Sequence, residues 1–269
     1  MSNNDPSNIN QLLEMAKVES INYLMNVDSF PVFPSNDALK LLQLFDEAIP
    51  TKQNDPLDTL KKLAAIGSKT TVNQSGSRYF GFVNGGILPI GIASRWLADT
   101  WDQNAALEVM SPISAKLEQV CEQWIIELLN LPNTTKMGLV GGTSVATLCG
   151  LAAARNHQYK KMNWDVNENG LIGAPKLRII MGDQTHGTVS KMVKLLGFGA
   201  QSIEIVPSDD QGRMIVDRLP VMDGSCILIL QAGNVCSGSF DDFNAICRIA
   251  NGVGAWTHID GAFGLWAQA

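Results

Sequence analysis

Beyond Pro132 the chain repeats one pattern: a short apolar run, a turn of small and polar residues, then a stretch with helical periodicity. The runs are residues 137–140, 177–181, 202–206, 226–230 and 256–260; the helical stretches are 144–155, 188–196 and 241–250. These runs are too apolar for strands with one wet face, so the strands they predict must be covered on both sides. The expectation is an α/β fold, a mainly parallel sheet flanked by helices. Ligands of such sheets gather at the carboxyl ends of the strands.

The N-terminal part reads differently, as helices separated by breakers: 9–27, then 35–48 after Pro31 and Pro34, then 56–66, where Asp55 and Asp58 suit the positive end of the helix dipole. A glycine-rich region, 75–89, follows. Two more helices are expected over 90–131, the second opening at Ser111-Pro112 with Leu117, Val120, Cys121, Trp124, Ile125 and Leu128 on one face. At 269 residues the chain fits one large α/β unit with an appendage. The expected division is an N-terminal helical arm with a loop, 1–89, and a large domain, 90–269.

Charge and cysteine usage exclude several functions. A net charge of -6 gives no basic stripe for a phosphate backbone, so nucleic acid is not an expected partner. No apolar stretch approaches a membrane span, and the first twenty residues show no secretory pattern, so no membrane partner is expected. Five scattered cysteines without a C-x-x-C pair argue against a disulfide framework or a metal site and for a cytoplasmic location.

Four strand ends carry candidate chemistry. In "GLVGGTSVATLCGLAAAR", Gly141 and Gly142 permit a tight turn, and Thr143 and Ser144 bring hydroxyls and unpaired amides to a helix N-terminus, which suits a phosphate dianion. An ordinary capped helix reads equally well. Neither G-x-G-x-x-G nor a Gly-Lys-Ser/Thr loop is present, which puts a dehydrogenase or nucleotide reading last. His186, past the second run, is placed to stack on a flat ring or move a proton, or simply to cap its helix. After the fourth run, Asn234, Ser237 and Ser239 are possible ligand contacts, with Asp241 read as a helix cap. His258 and Asp260, two apart on the last strand, point to one face, with Asp260 at its carboxyl end. A carboxylate there needs a cationic or hydrogen-bonding partner. A protonated pyridine nitrogen would answer it, with Gly261 and Ala262 letting a flat ring approach the backbone; that is the protein's half of pyridoxal phosphate chemistry. A structural aspartate bonded to loop amides is the alternative.

These motifs, in this order, resemble the group II pyridoxal-phosphate-dependent amino acid decarboxylases, the family of glutamate and aromatic amino acid decarboxylases. The resemblance runs from about Gly76 to the last residue and is carried by "RYFGFVNGG", "DQN" at Asp102 to Asn104, "SPISAKLEQVCEQWIIELL", "GGTSVATLCGLAAAR", "THGTVSKMVKLLGFG", "QAGNVCSGSFDDF" and "HIDGAFGLW". It implies a fold-type I large domain that binds pyridoxal 5'-phosphate. Thr143 and Ser144 would hold the phosphate, His186 would stack on the ring, Asp260 would pair with its nitrogen, and Ala262 would pack on its other face. Asn234 would stand near a polar contact. Tyr79 and Phe80 would form a substrate and dimer loop, implying a homodimer acting on a small-molecule amino acid substrate. Gly76-Ser77 replaces the family's usual His-Pro before that loop, and Gly261 replaces a common alanine.

The same resemblance implies a Schiff-base lysine after the aspartate motif, and no lysine follows Asp260. The chain is therefore expected to be the N-terminal portion of a longer enzyme, incomplete at its C-terminus and inactive alone. The functional expectation is a carboxy-lyase of amino acid metabolism. The alternatives are another fold-type I enzyme (aldehyde-lyase, desulfurase or aminotransferase) or a non-catalytic remnant.

Overall fold

The most apolar run of the second half, starting at Cys226, forms an interior strand of a sheet. In the computed structural model, which describes residues 6–82, 84, 86–262 and 264–269, the strands are β1 (Arg178–Gly182), β2 (Ile203–Val206), β3 (Cys226–Gln231) and β4 (Trp256–Asp260). They lie in the order β2-β1-β3-β4 and every pairing is parallel. Ile229 of β3 faces Met181 on one side and His258 on the other, and Gln231 stands opposite Asp260.

Successive residues of a strand point to opposite faces. Ile227 and Ile229 join Ile179 and Met181 beneath α6 (Thr143–Lys161) and α8 (Gly187–Leu195), with Leu151, Ala154, Val189 and Val193 completing the layer. Leu228 and Leu230 face the other way with Ile180 and Val206, against Ile246 and Ala250 of α9 (Phe243–Gly252). The expected α/β architecture is thus the observed one. β1 and β3 read as continuous apolar runs because both of their faces are dry.

Helix α6 runs six residues past the expected end at Arg155, and the reason lies in its last turns. Gln158, fully buried, reaches three carbonyls at the amino edge of the sheet: Nε2 lies 3.0 Å from Gly224 O, 2.9 Å from Cys226 O and 3.4 Å from Gly254 O. Lys161 Nζ donates to Gly254 O at 2.5 Å. Since β3 begins at Cys226, α6 runs against the strands and its N-terminus lies at their carboxyl edge.

Three expectations are corrected. Residues 137–140 are not a strand: Met137 N donates to Glu122 Oε2 at 3.0 Å, no described strand pairs with the run, and Leu139 and Val140 stay exposed. An apolar run becomes a strand only with a neighbour to bond. Residues 35–48 hold a short α2 (Asn36–Lys40) followed by 3-10 turns over Leu41–Phe45, not one helix. Asp241 does not cap α9; Asp242 does, accepting from Ala245 N at 2.9 Å.

The chain divides into two compact units after Gln103. The first contains α1 (Pro6–Met25), α2, α3 (Pro56–Thr70) and α4 (Pro89–Trp101), with α1 packed along α3. Asp55 caps α3 by accepting from Leu57 N at 2.7 Å, and Pro56 occupies its first turn. The second unit holds the sheet, its helices, α5 (Pro112–Leu128) and the short α7 (Val166–Asn169). No described helix is long and apolar enough to cross a membrane.

Candidate functional site

Four segments of the second unit end at the carboxyl edge of the sheet. The first is the opening of α6. Gly142 has extended backbone and offers no side-chain cap, while Val145 N and Ala146 N both donate to its carbonyl, at 3.0 and 3.1 Å. Thr143 and Ser144 are exposed, and among the described residues their hydroxyls make no hydrogen bond. A Cβ built on Gly141 or Gly142 would meet nothing within 4 Å, so the space before the helix is open. The helices α8 and α9, by contrast, are capped by His186 and Asp242. An uncapped, open helix N-terminus with two hydroxyls suits an anion.

The second segment is β4 with its turn. Trp256, His258 and Asp260 share the face toward α6. His157 and Trp256 bring their ring centroids to 5.2 Å, and the imidazole of His258 lies against Gly150. Moving toward the carboxyl edge, the next position on this face is Asp260. Its Oδ1 accepts from Ala262 N at 3.2 Å, and among the described residues its side chain has no other hydrogen bond. One oxygen thus serves the turn, as the structural reading expected, and the other is available to a ligand. The turn is laced to β3: Ala232 N donates to Asp260 O at 2.8 Å and Gly264 N to Ala232 O at 3.1 Å. No Cβ would fit at Gly264, which sits directly on the Ala232 backbone. Ala262 is exposed beside the carboxylate. Burial pushes the His258 imidazole below its ordinary pKa, and the Asp260 carboxylate pulls it the other way.

The third segment follows β1. His186 is exposed and caps α8: its Nδ1 accepts from Thr188 N at 3.3 Å and lies 2.7 Å from Thr188 Oγ1. Capping fixes one ring nitrogen and leaves Nε2 without a partner among the described residues. Lys191 and Lys194 of α8 point to solvent.

The fourth segment follows β3. Asn234 is buried and folds its own loop, its Oδ1 accepting from Cys236 N at 2.8 Å and Ser237 N at 3.2 Å. The Ser237 and Ser239 hydroxyls lie 2.6 and 2.5 Å from Gln211 O, which stitches this loop to residues 208–214. Asp241 is buried between the two segments and accepts from Met214 N at 2.7 Å and Gln231 N at 2.8 Å. Burial pushes its carboxyl above the ordinary range, against the two amides. A carboxyl whose folded pKa exceeds its unfolded one holds its proton to higher pH when folded, so stability is greatest below the unfolded pKa and declines as pH rises through the folded one. Asp241→Asn, with no proton to lose, is expected to flatten that decline in urea melts carried upward in pH from about 4, the ordinary carboxyl value. Parallel stability curves for the two proteins would show that Asp241 does not set the slope.

Tyr79 and Phe80 belong to the first unit. Their loop is held on the α1–α2 connection: Asn73 N donates to Val32 O at 2.9 Å, Ser77 N to Asp28 Oδ1 at 2.9 Å, and Arg78 Nη2 to the carbonyls of Asp28 and Phe30 at 3.0 and 2.6 Å. The Ser77 amide is the main cause holding the Asp28 carboxyl below its ordinary range. Tyr79 Oη accepts from Asn84 Nδ2 at 3.1 Å, and Phe80 is 93% exposed. Sequence reasoning did not find Asp28 or Asn73 because their partners are remote in the chain. It also missed Gly150 and Gln158; a glycine inside an expected helix was the available signal for the first.

The profile of the pyridoxal-dependent decarboxylase conserved domain matches residues 39–266. Among curated relatives, the glutamate decarboxylase of Drosophila melanogaster is 28% identical over 231 residues, 82% of this chain and 44% of the relative. Tryptophan decarboxylase 1 of Oryza sativa subsp. japonica is 26% identical over 265 residues, 90% of this chain and 50% of the relative. The chain thus spans about half the length of the curated relatives it matches. The crystal structure of Oryza sativa TDC with PLP and tryptamine superposes with a TM-score of 0.86 at 23% identity, covering 100% of this chain and 57% of that one. Mouse CSAD in apo form gives a TM-score of 0.85 at 20% identity over 97% of this chain and 56% of that one. The parallel sheet, the open N-terminus of α6 at its carboxyl edge and a profile match over most of the length together make this chain a member of the pyridoxal-dependent decarboxylase family.

Proposed function

We propose that the full-length gene product is a pyridoxal 5'-phosphate-dependent decarboxylase whose small-molecule substrate is an amino acid. The observation that carries this reading is the pairing, at one sheet edge, of an uncapped α6 N-terminus with an aspartate that keeps an oxygen unbonded among the described residues. The two fit the ends of the cofactor, a phosphate dianion and a pyridine nitrogen.

Thr143 and Ser144 bind the phosphate through their hydroxyls and through amides at the positive end of the helix. Asp260 holds a proton on the ring nitrogen. His186 would stack on one ring face, and Ala262, too small to obstruct, would leave room for the other. Asn234 keeps the polar loop after β3 in place beside the ring. When bound, the cofactor supplies an electron-accepting ring that stabilises the carbanion left by departing carbon dioxide. Tyr79 and Phe80 contribute the loop on the substrate side and at the dimer contact. Residues 1–89 serve as the arm and 90–269 as the cofactor-binding large domain. A homodimer is supported by α5, where Ile113, Leu117, Trp124 and Leu128 form an exposed stripe spaced for one helix face. Five free cysteines suit a reducing cytoplasm.

The test is product analysis on the full-length protein loaded with pyridoxal 5'-phosphate and offered acidic and aromatic amino acids in turn. Carbon dioxide released in equal amount with the corresponding amine is the expected result, from a protein whose mass in solution is that of a dimer. A keto acid or a sulfur product without carbon dioxide would replace this reading with another reaction.

A further inference from the structure

Glycine inside a helix is unfavourable relative to alanine, since it loses more backbone freedom on folding. Gly150 nevertheless stands in the middle of α6, and its surroundings explain it: a Cβ there would lie 2.9 Å from Cε1 and 3.0 Å from Nδ1 of His258. The imidazole fills the slot that the missing side chain leaves.

This contact lies between the two ends of the candidate site. Along α6, Gly150 is less than two turns from Thr143 and Ser144; along β4, His258 is two residues from Asp260. Further from the site the two elements meet again at His157 and Trp256, and beyond that Gln158 and Lys161 fasten the far end of α6 to Gly254. The helix therefore has no freedom to slide away from extra bulk at position 150. Extra bulk there must displace the imidazole or tilt the helix, and a tilt carries its first turn away from β4.

We propose that His258 is a positioning residue: seated on Gly150, it sets the separation between the hydroxyls of Thr143 and Ser144 and the carboxylate of Asp260, and so the length of ligand that bridges them. This rests on the reading that those groups are the two ends of the cofactor site. Burial disfavours the charged imidazole, so the ring acts as a spacer and not as a fixed cation.

The test compares three probes on the full-length protein. Pyridoxine 5'-phosphate has both the ring nitrogen and the phosphate and needs no lysine to bind; pyridoxine and inorganic phosphate each carry one end. Gly150→Ala is expected to weaken pyridoxine 5'-phosphate about tenfold, the order produced by forcing a methyl into a filled slot. The single-ended probes should change by less than about twofold, because neither spans the gap. The double variant Gly150→Ala with His258→Ser is expected to recover most of the loss. His258→Ser alone, which vacates space and does not overfill it, is expected to narrow the preference for pyridoxine 5'-phosphate over pyridoxine. Equal losses for all three probes, no recovery in the double variant, or an unchanged preference in His258→Ser would overturn the spacer role while leaving the proposed function standing. Failure of the unsubstituted protein to bind pyridoxine 5'-phosphate would overturn the proposed function, and this inference with it.

Discussion

Asp260→Asn in the full-length protein is expected to lower the rate of carbon dioxide release by about 10²- to 10³-fold, or ~3–4 kcal/mol of transition-state stabilisation. Asparagine keeps the shape of the side chain and its acceptor for Ala262 N, so the turn and its lacing to Ala232 survive. What it removes is the negative charge that, in the proposed site, would hold a proton on the pyridine nitrogen. The loss should therefore appear in kcat far more than in the affinity for pyridoxine 5'-phosphate, whose phosphate is proposed to sit at α6. Full activity in the variant, with the cofactor bound, would remove Asp260 from the chemistry.

Leu228→Ala is expected to be the most damaging of the simple core truncations in stability. Leu228 is fully buried in β3, an interior strand, among the side chains that α9 covers. Its truncation leaves a cavity that rigid neighbours cannot close, worth ~3–4 kcal/mol, or about 10 °C in melting temperature for a unit of this size. Leu195→Ala is the control: that leucine is 66% exposed at the end of α8, and its truncation should stay within about 0.5 kcal/mol. Similar melting temperatures for the two variants would mean that the β3 core is not where the stability resides.

The strands that carry the site were legible because burial on both faces writes itself into the sequence as an unbroken apolar run. The same rule misread residues 137–140, since a run of apolar residues states a preference for burial and says nothing of whether a neighbouring strand is there to bond it. Thr143, Ser144, His186 and Asp260 could be nominated from their place after such runs, where turns meet helices. Which of two adjacent aspartates caps α9 could not, because Asp241 and Asp242 differ only in where the fold points them: one goes to the amides of Met214 and Gln231, the other to Ala245. The roles of Gln158 and Gly150 were hidden for a related reason. Each is defined by a partner about seventy or more positions away, Cys226 in one case and His258 in the other. Local periodicity carries no trace of such pairs.

Helix α6 is built as a cantilever, clamped through Gln158 and Lys161 and free where it begins. Amide hydrogen exchange should follow that design, with protection lowest over the first turn and rising toward the clamped end. An anion seated on Thr143 and Ser144 would then act chiefly on the free end, slowing exchange there while leaving the clamped turns as they were. Loading the protein would thus stiffen the part of the rod that its own chain leaves slack.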